Sequence, residues 1–200
     1  RVELCAGIPE GGTTPSYGEI KTARRVLTRT RLHVIIRPRG GDFLYTPLEL
    51  ERMTADIDIA RELGADGVVF GCLRAGGTLD TGADALLMSH AKGMSVTFHR
   101  AFDRCVNPQE ALEELIAQGF DRILTSGQQP TALQGTPLLR QLHAQAAGRI
   151  TLLAGCGVNE GNIATIARET GIDEFHFSAR VAVKSAMTFS NPDVYMGAKG

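Results

Sequence analysis

The sequence predicts an α/β fold, a TIM-type (β/α) barrel, from three observations. Short apolar runs alternate with helix-patterned stretches from end to end, the signature of a parallel sheet covered by helices. A Gly-x-Asp tripeptide recurs as Gly64-Ala65-Asp66, Gly119-Phe120-Asp121 and Gly171-Ile172-Asp173, each about two βα units from the last. That regular period fits a barrel better than a doubly wound sheet. The strand candidates number seven, one short of a closed barrel of this type. The chain opens on Arg1 directly into a strand and ends in an irregular tail from Phe189 to Gly200. A first βα unit and a last helix are therefore expected to be missing, with residues 1–200 forming a single barrel domain truncated at both ends.

The expected strands are Val2–Cys5, Val34–Arg37, Gly67–Leu73, Ser95–His99, Arg122–Ser126, Ile150–Ala154 and Glu174–Ser178. They are brief, often β-branched, and followed by glycine or polar residues. The expected helices are Ser16–Thr28, Pro47–Leu63, Thr81–Ala91, Pro108–Gln118, Pro137–Ala147 and Asn162–Thr170. Thr46-Pro47 and Asn107-Pro108 read as an N-cap followed by proline in the first turn. In each Gly-x-Asp tripeptide the glycine suits a left-handed helix C-cap and the aspartate turns the chain into the next strand.

Composition narrows the class of function. Lys and Arg number 21 against 22 Asp and Glu, so there is no excess positive charge to grip nucleic acid or an anionic membrane. No apolar run approaches the roughly 20 residues that span a bilayer. Cys5, Cys72, Cys105 and Cys156 include no CxxC pair, so neither a disulfide framework nor a zinc knuckle is indicated, and a reducing cytoplasm is the expected compartment.

Chemistry in such barrels sits at the C-terminal ends of the strands. Strand parity says which side chains point inward. Glu3 and Cys5 share one face, as do Thr97 and His99, and His176 and Ser178; Arg37 lies on the Ile35 side. The helix-facing side must be apolar, so these polar members line the interior or its mouth. The expected mouth holds Glu3, Cys5, Arg37, Arg39, Thr97, His99, Arg100, Asp103, Thr125, Ser126, His176, Ser178 and Arg180. Several arginines favour an anionic ligand, because guanidinium forks match carboxylate and phosphate oxygens. Histidine beside carboxylate suits acid–base chemistry. Gly155-Cys156-Gly157 leads into a helix, where backbone N–H groups favour a phosphate. The glycine-bearing loops Glu10–Pro15 and Arg39–Asp42 lie on the same side. His33, His90 and His143 are expected on the helix side or in solvent.

Val2-Glu3-Leu4-Cys5, the Glu10–Ser16 loop, Ile36-Arg37-Pro38-Arg39-Gly40-Gly41-Asp42-Phe43 and Val96-Thr97-Phe98-His99-Arg100-Ala101-Phe102-Asp103 resemble the CutC copper homeostasis family. Leu124-Thr125-Ser126-Gly127 and Phe175-His176-Phe177-Ser178-Ala179-Arg180 extend the likeness over essentially the whole chain. The resemblance implies a TIM-type barrel, a cytoplasmic homo-oligomer, and copper bound through cysteines. Cys5 matches a cysteine on the family's second barrel strand; the partner cysteine belongs to a first strand that this chain lacks. Two readings stand side by side. In the first, the Cys5 thiolate holds Cu(I). In the second, the chain is a barrel enzyme acting on a small anionic or phosphorylated substrate. Glu3, His99 and Asp103 are then the acid–base candidates. Arg37, Arg39, Arg100, Gly155, Gly157, Ser178 and Arg180 are the anion-binding candidates.

Overall fold

The computed structural model describes residues 1–178, 181–189, 191 and 193–194. Seven strands form one sheet in sequential order, with every neighbouring pair parallel. They are β1 Val2–Leu4, β2 Leu32–Ile35, β3 Gly67–Phe70, β4 Ser95–Phe98, β5 Arg122–Thr125, β6 Thr151–Gly155 and β7 Glu174–His176. The crossovers carry α1 Tyr17–Val26, α2 Pro47–Glu62, α3 Thr81–His90, α4 Pro108–Gln118, α5 Thr136–Ala146 and α6 Ile163–Thr170. Two 3-10 turns, Ile8–Glu10 and Arg100–Arg104, shape the loops after β1 and β4; nothing in the apolar periodicity signals them.

The helices start where side chains meet the free N–H groups of the first turn. Ser16 and Thr46 each close a reciprocal capping box with the glutamate three residues on, and Asn107 caps α4 ahead of Pro108. The repeated tripeptide does two jobs. Gly64, Gly119 and Gly171 take φ of +82°, +83° and +78°, which end their helices. Asp66 then accepts from Leu32 N–H and Asp121 from Val96 N–H, so each aspartate pins the start of the preceding strand.

Between sheet and helices lies a continuous apolar layer that includes Leu32, Val34 and Ile36, Val68 and Phe70, Val96 and Phe98, and Ile123. Opposite parity gives the barrel interior, which is polar at both ends. At its base Arg122 donates to both Glu174 and Ser95. β1 and β7 are the sheet's edges and do not pair with each other. The sheet curls enough for their side chains to meet: Arg1 donates to Glu174 at 2.8 Å, and His176 Nδ1 lies 3.9 Å from a Glu3 carboxylate oxygen. The architecture is a barrel opened along one seam.

One expectation needs correction. The second strand is Leu32–Ile35, beginning earlier than the expected Val34–Arg37. His33 then shares parity with Ile35 and Arg37 and points into the barrel, not toward the helices or solvent. Its ring lies against Gly67, where a Cβ would come within 2.6 Å of the imidazole. Burial, with Arg1 and Arg122 nearby, lowers its pKa to about 4.

Candidate functional site

A cavity of about 950 Å³ occupies the seam. Glu3, Cys5 and Ile35 line it from one side, Glu174, His176 and Ser178 from the other, and Gly11 and Gly12 roof it. The parity argument accounts for this set, because Glu3 and Cys5 alternate with the core residue Leu4, and His176 and Ser178 with Phe175 and Phe177. Gly12 adopts φ +93° and a Cβ there would meet Cys5 and Ile35 at 3.5 Å, so the loop backbone lies directly over the thiol. Burial raises the pKa of Glu3, against the lowering influence of His176 and Arg1.

The strand ends around the barrel axis carry two clamps. Arg37, 6% exposed, donates Nη1 to the carbonyls of Glu10 and Gly12 at 2.8 and 3.0 Å and Nη2 to that of Gly41 at 3.0 Å. It therefore fastens the loops after β1 and β2, and Thr14 adds two hydrogen bonds to its backbone. Asp103 in turn fastens the loops after β4 and β5. Its oxygens accept from Thr125 Oγ1, the Ser126 hydroxyl, the N–H groups of Ser126 and Gln128, and Arg100 Nε. With its oxygens so engaged, Asp103 sits as an anchor.

His99 is 4% exposed and lies between these clamps. Its Nδ1 accepts from Ala101 N–H, which leaves the ring proton on Nε2. Burial, reinforced by Arg37, holds its pKa down at about 3, so the ring is a neutral donor at ordinary pH. Phe43 packs on both groups, its ring centroid 4.8 Å from that of His99 and 5.1 Å from the Arg37 guanidinium.

The remaining expected residues divide. Arg39 pairs with Glu49 and Asp42, and Arg100 with Asp103, so both guanidinium groups already have counter-charges. Gly155 lies in the interior because a Cβ would meet Leu124 at 2.5 Å. Gly157 turns at φ +71°, and its carbonyl accepts from Asn159 and Asn162, so Asn162 at the start of α6 is engaged in the turn. Cys156 takes φ +77°, rare for a side-chain-bearing residue, and its thiol donates to the Pro130 carbonyl. Ser178 lines the cavity, and Arg180 lies outside the described residues. Cys72 and Cys105 are packed in the apolar layer, where burial raises the Cys72 thiol and pushes Cys105 up to about 11. Sequence reasoning did not single out Phe43, His33 or the buried Asp84. Asp84 accepts from Cys72 N–H, and burial pushes its pKa up to about 8. The parity of the Leu32–Arg37 run carried the signal for His33; the pattern marks neither Phe43 nor Asp84.

Among the described residues there is no group of three or more His, Cys, Asp or Glu arranged to hold a metal, and no helix long and apolar enough to cross a membrane. What the seam does offer is the Cys5 thiol, the His176 imidazole and the Glu3 carboxyl on a common cavity, with Asp173 and Glu174 also on its wall.

Comparison with known proteins gives a consistent result. The CutC family model matches residues 1–181. A family protein CutC from Bacteroides thetaiotaomicron is 68% identical over 197 residues, covering 98% of this chain and 79% of the relative. The human copper homeostasis protein cutC homolog is 47% identical over 198 residues, 99% of this chain and 72% of the relative. Among solved structures, a CutC protein from Streptococcus agalactiae superposes with a TM-score of 0.85 at 38% identity, covering 88% of this chain and 87% of that one. The aldolase QR15 matches at TM-score 0.61 and 17% identity, covering 80% of this chain and 73% of that one, a likeness of fold alone.

Proposed function

This chain belongs to the CutC family, and from that membership we propose that it serves copper homeostasis by holding Cu(I) through the Cys5 thiolate in the seam cavity. The observation that carries this reading is the placement of Cys5. Of the four cysteines it alone lines the large cavity, whereas Cys72 and Cys105 are buried in the apolar layer and Cys156 faces the Pro130 carbonyl. Thiolate is the soft donor that Cu(I) selects, and imidazole is a compatible second ligand. His176 shares the cavity, and its Nδ1 faces Glu3. The reading takes Nε2 as the ring atom for metal, with the Glu3 carboxylate on the Nδ1 side, where closing from 3.9 Å to a hydrogen bond would orient the ring. The donor set therefore suits a soft monovalent cargo. The reading places the protein in the reducing cytoplasm, where thiols persist, as a homo-oligomer.

The test is an anaerobic Cu(I) titration under reducing conditions against a Cu(I)-selective chelator. Wild type and Cys72→Ala are expected to bind the same amount of copper, and Cys5→Ala less. Equal stoichiometry and affinity in Cys5→Ala would reject the proposal.

A further inference from the structure

We propose that Arg37 and His99 form the floor of a binding site for a small oxyanion, a carboxylate or a phosphate, which enters by displacing Phe43. This does not rest on the copper reading, since it concerns the covered strand ends and not the seam cavity.

The first observation is a buried cation without a counter-charge. Arg37 is 6% exposed, and no carboxylate lies within 4 Å of it among the described residues. The acceptors of its Nη atoms are three neutral carbonyls, and its buried Nε makes no well-formed hydrogen bond; the one other group within reach of the guanidinium among the described residues is the buried Tyr45 hydroxyl, which is neutral and supplies no counter-charge. Other arginines of the barrel differ in this respect. Arg39 has Asp42 and Glu49, Arg100 has Asp103, and Arg1 and Arg122 share Glu174. A buried charge needs a partner to offset its desolvation.

The second observation is independent. His99, 4% exposed, carries its proton on Nε2, and that buried atom also has no partner. Unpartnered buried donors are rare in folded proteins. Here two of them, one charged and one neutral, pack against the same aromatic ring. Both are donors, so the missing complement is an acceptor, and the guanidinium charge makes that acceptor an anion.

The third observation concerns access. Phe43 is half-buried and sits in the loop between β2 and α2, after Gly40 and Gly41. Gly41 takes φ +84°, a conformation that glycine supplies without strain. Gly11 and Gly12 separate Arg37 from the seam cavity, Gly12 through the carbonyl that Arg37 binds. The half-buried Phe43 ring lies against both groups, and in this proposal it is the cover that an anion displaces.

The experiment uses phosphate and pyruvate as separate probes, each against a chloride control of equal ionic strength. It reads the melting temperature and the His99 Nε2 resonance of protein labelled with nitrogen-15 at histidine. At least one probe is expected to raise the melting temperature saturably and to shift the His99 resonance. The probe that does so tells phosphate from carboxylate. Arg37→Gln is expected to abolish both effects. Phe43→Leu, which keeps an apolar cover but shortens it, should retain both and lower the anion concentration needed by several-fold. If Arg37→Gln does not fold, Phe43→Leu alone still decides. Two results would overturn the proposal: neither probe moving the His99 resonance in wild type and Phe43→Leu, or a shift that persists in folded Arg37→Gln.

Discussion

Arg37 and Asp103 do the same structural work on two different strand pairs, β1–β2 and β4–β5, and they leave different electrostatic remainders. Each is a single charged side chain that ties two consecutive strand-to-helix loops together. Asp103 collects N–H and O–H donors from Thr125, Ser126 and Gln128 and also meets the Arg100 guanidinium. Its charge is neutralised within its own network. Arg37 finds neutral partners alone: backbone carbonyls from Glu10, Gly12 and Gly41, and the Tyr45 hydroxyl beside them. Its hydrogen bonds are largely met and its charge is not. A clamp built on main-chain acceptors can hold loops while keeping its charge available to a ligand; a clamp built on an ion pair cannot.

The largest effect expected from this comparison is at Asp103. Asp103→Ala strands several buried donors and the Arg100 charge at once, and should cost about 3–5 kcal/mol in urea unfolding. A cost below 1 kcal/mol would mean the network is ornamental.

The pH dependence comes next. His33 and His99 have folded pKa values of about 4 and about 3 against 6.5 for the free group. The unfolded chain therefore binds protons that the folded chain refuses. Stability contributed by their neutral forms is present above about 6.5 and is lost as pH falls through the folded values, by roughly 3 kcal/mol for His33 alone. Asp84 acts in the opposite sense, because its folded pKa of about 8 favours the protonated carboxyl, so stability declines as pH rises toward 8. Glu3 and Asp56, also raised by burial, act in the same sense as Asp84, so the readout is a difference: in an Asp84→Asn background, the gain in unfolding free energy from pH 4 to 6.5 should be smaller with His33→Gln than without it.

Arg37→Gln should be milder than Asp103→Ala, about 1–3 kcal/mol. It weakens hydrogen bonds to three carbonyls but relieves an uncompensated buried charge. Histidine NMR on the same variant sharpens the point: removing the guanidinium should move the His99 pKa upward. An unchanged titration would show that Arg37 exerts no field there. The smallest effect is expected at Glu3. Glu3→Gln should weaken Cu(I) binding about 10-fold through loss of orientation at His176, with stability little changed.

Much of the fold was legible in the sequence, for identifiable reasons. Pro108–Gln118 was bounded correctly because Asn107-Pro108 and Gly119 mark both its ends. The inward sets Glu3 with Cys5 and Thr97 with His99 followed from period-two alternation. The second strand was misplaced because Leu32 through Ile36 is apolar on both faces apart from His33, which leaves little alternation to set the start. The candidate site was legible as a list but not as partnerships. That Arg39 meets Glu49 while Arg37 meets no carboxylate depends on how the Glu10–Gly12 and Gly40–Asp42 loops cross, and loop trajectories are written in tertiary contacts, not in periodicity.

The most direct measurement is X-ray absorption at the copper edge on protein loaded with substoichiometric Cu(I). If the metal sits where we place it, the spectrum contains a sulfur neighbour in wild type and in Cys72→Ala, and that signal disappears in Cys5→Ala. A sulfur signal undiminished in Cys5→Ala, or a wild-type spectrum with nitrogen and oxygen scatterers alone, would contradict the assignment.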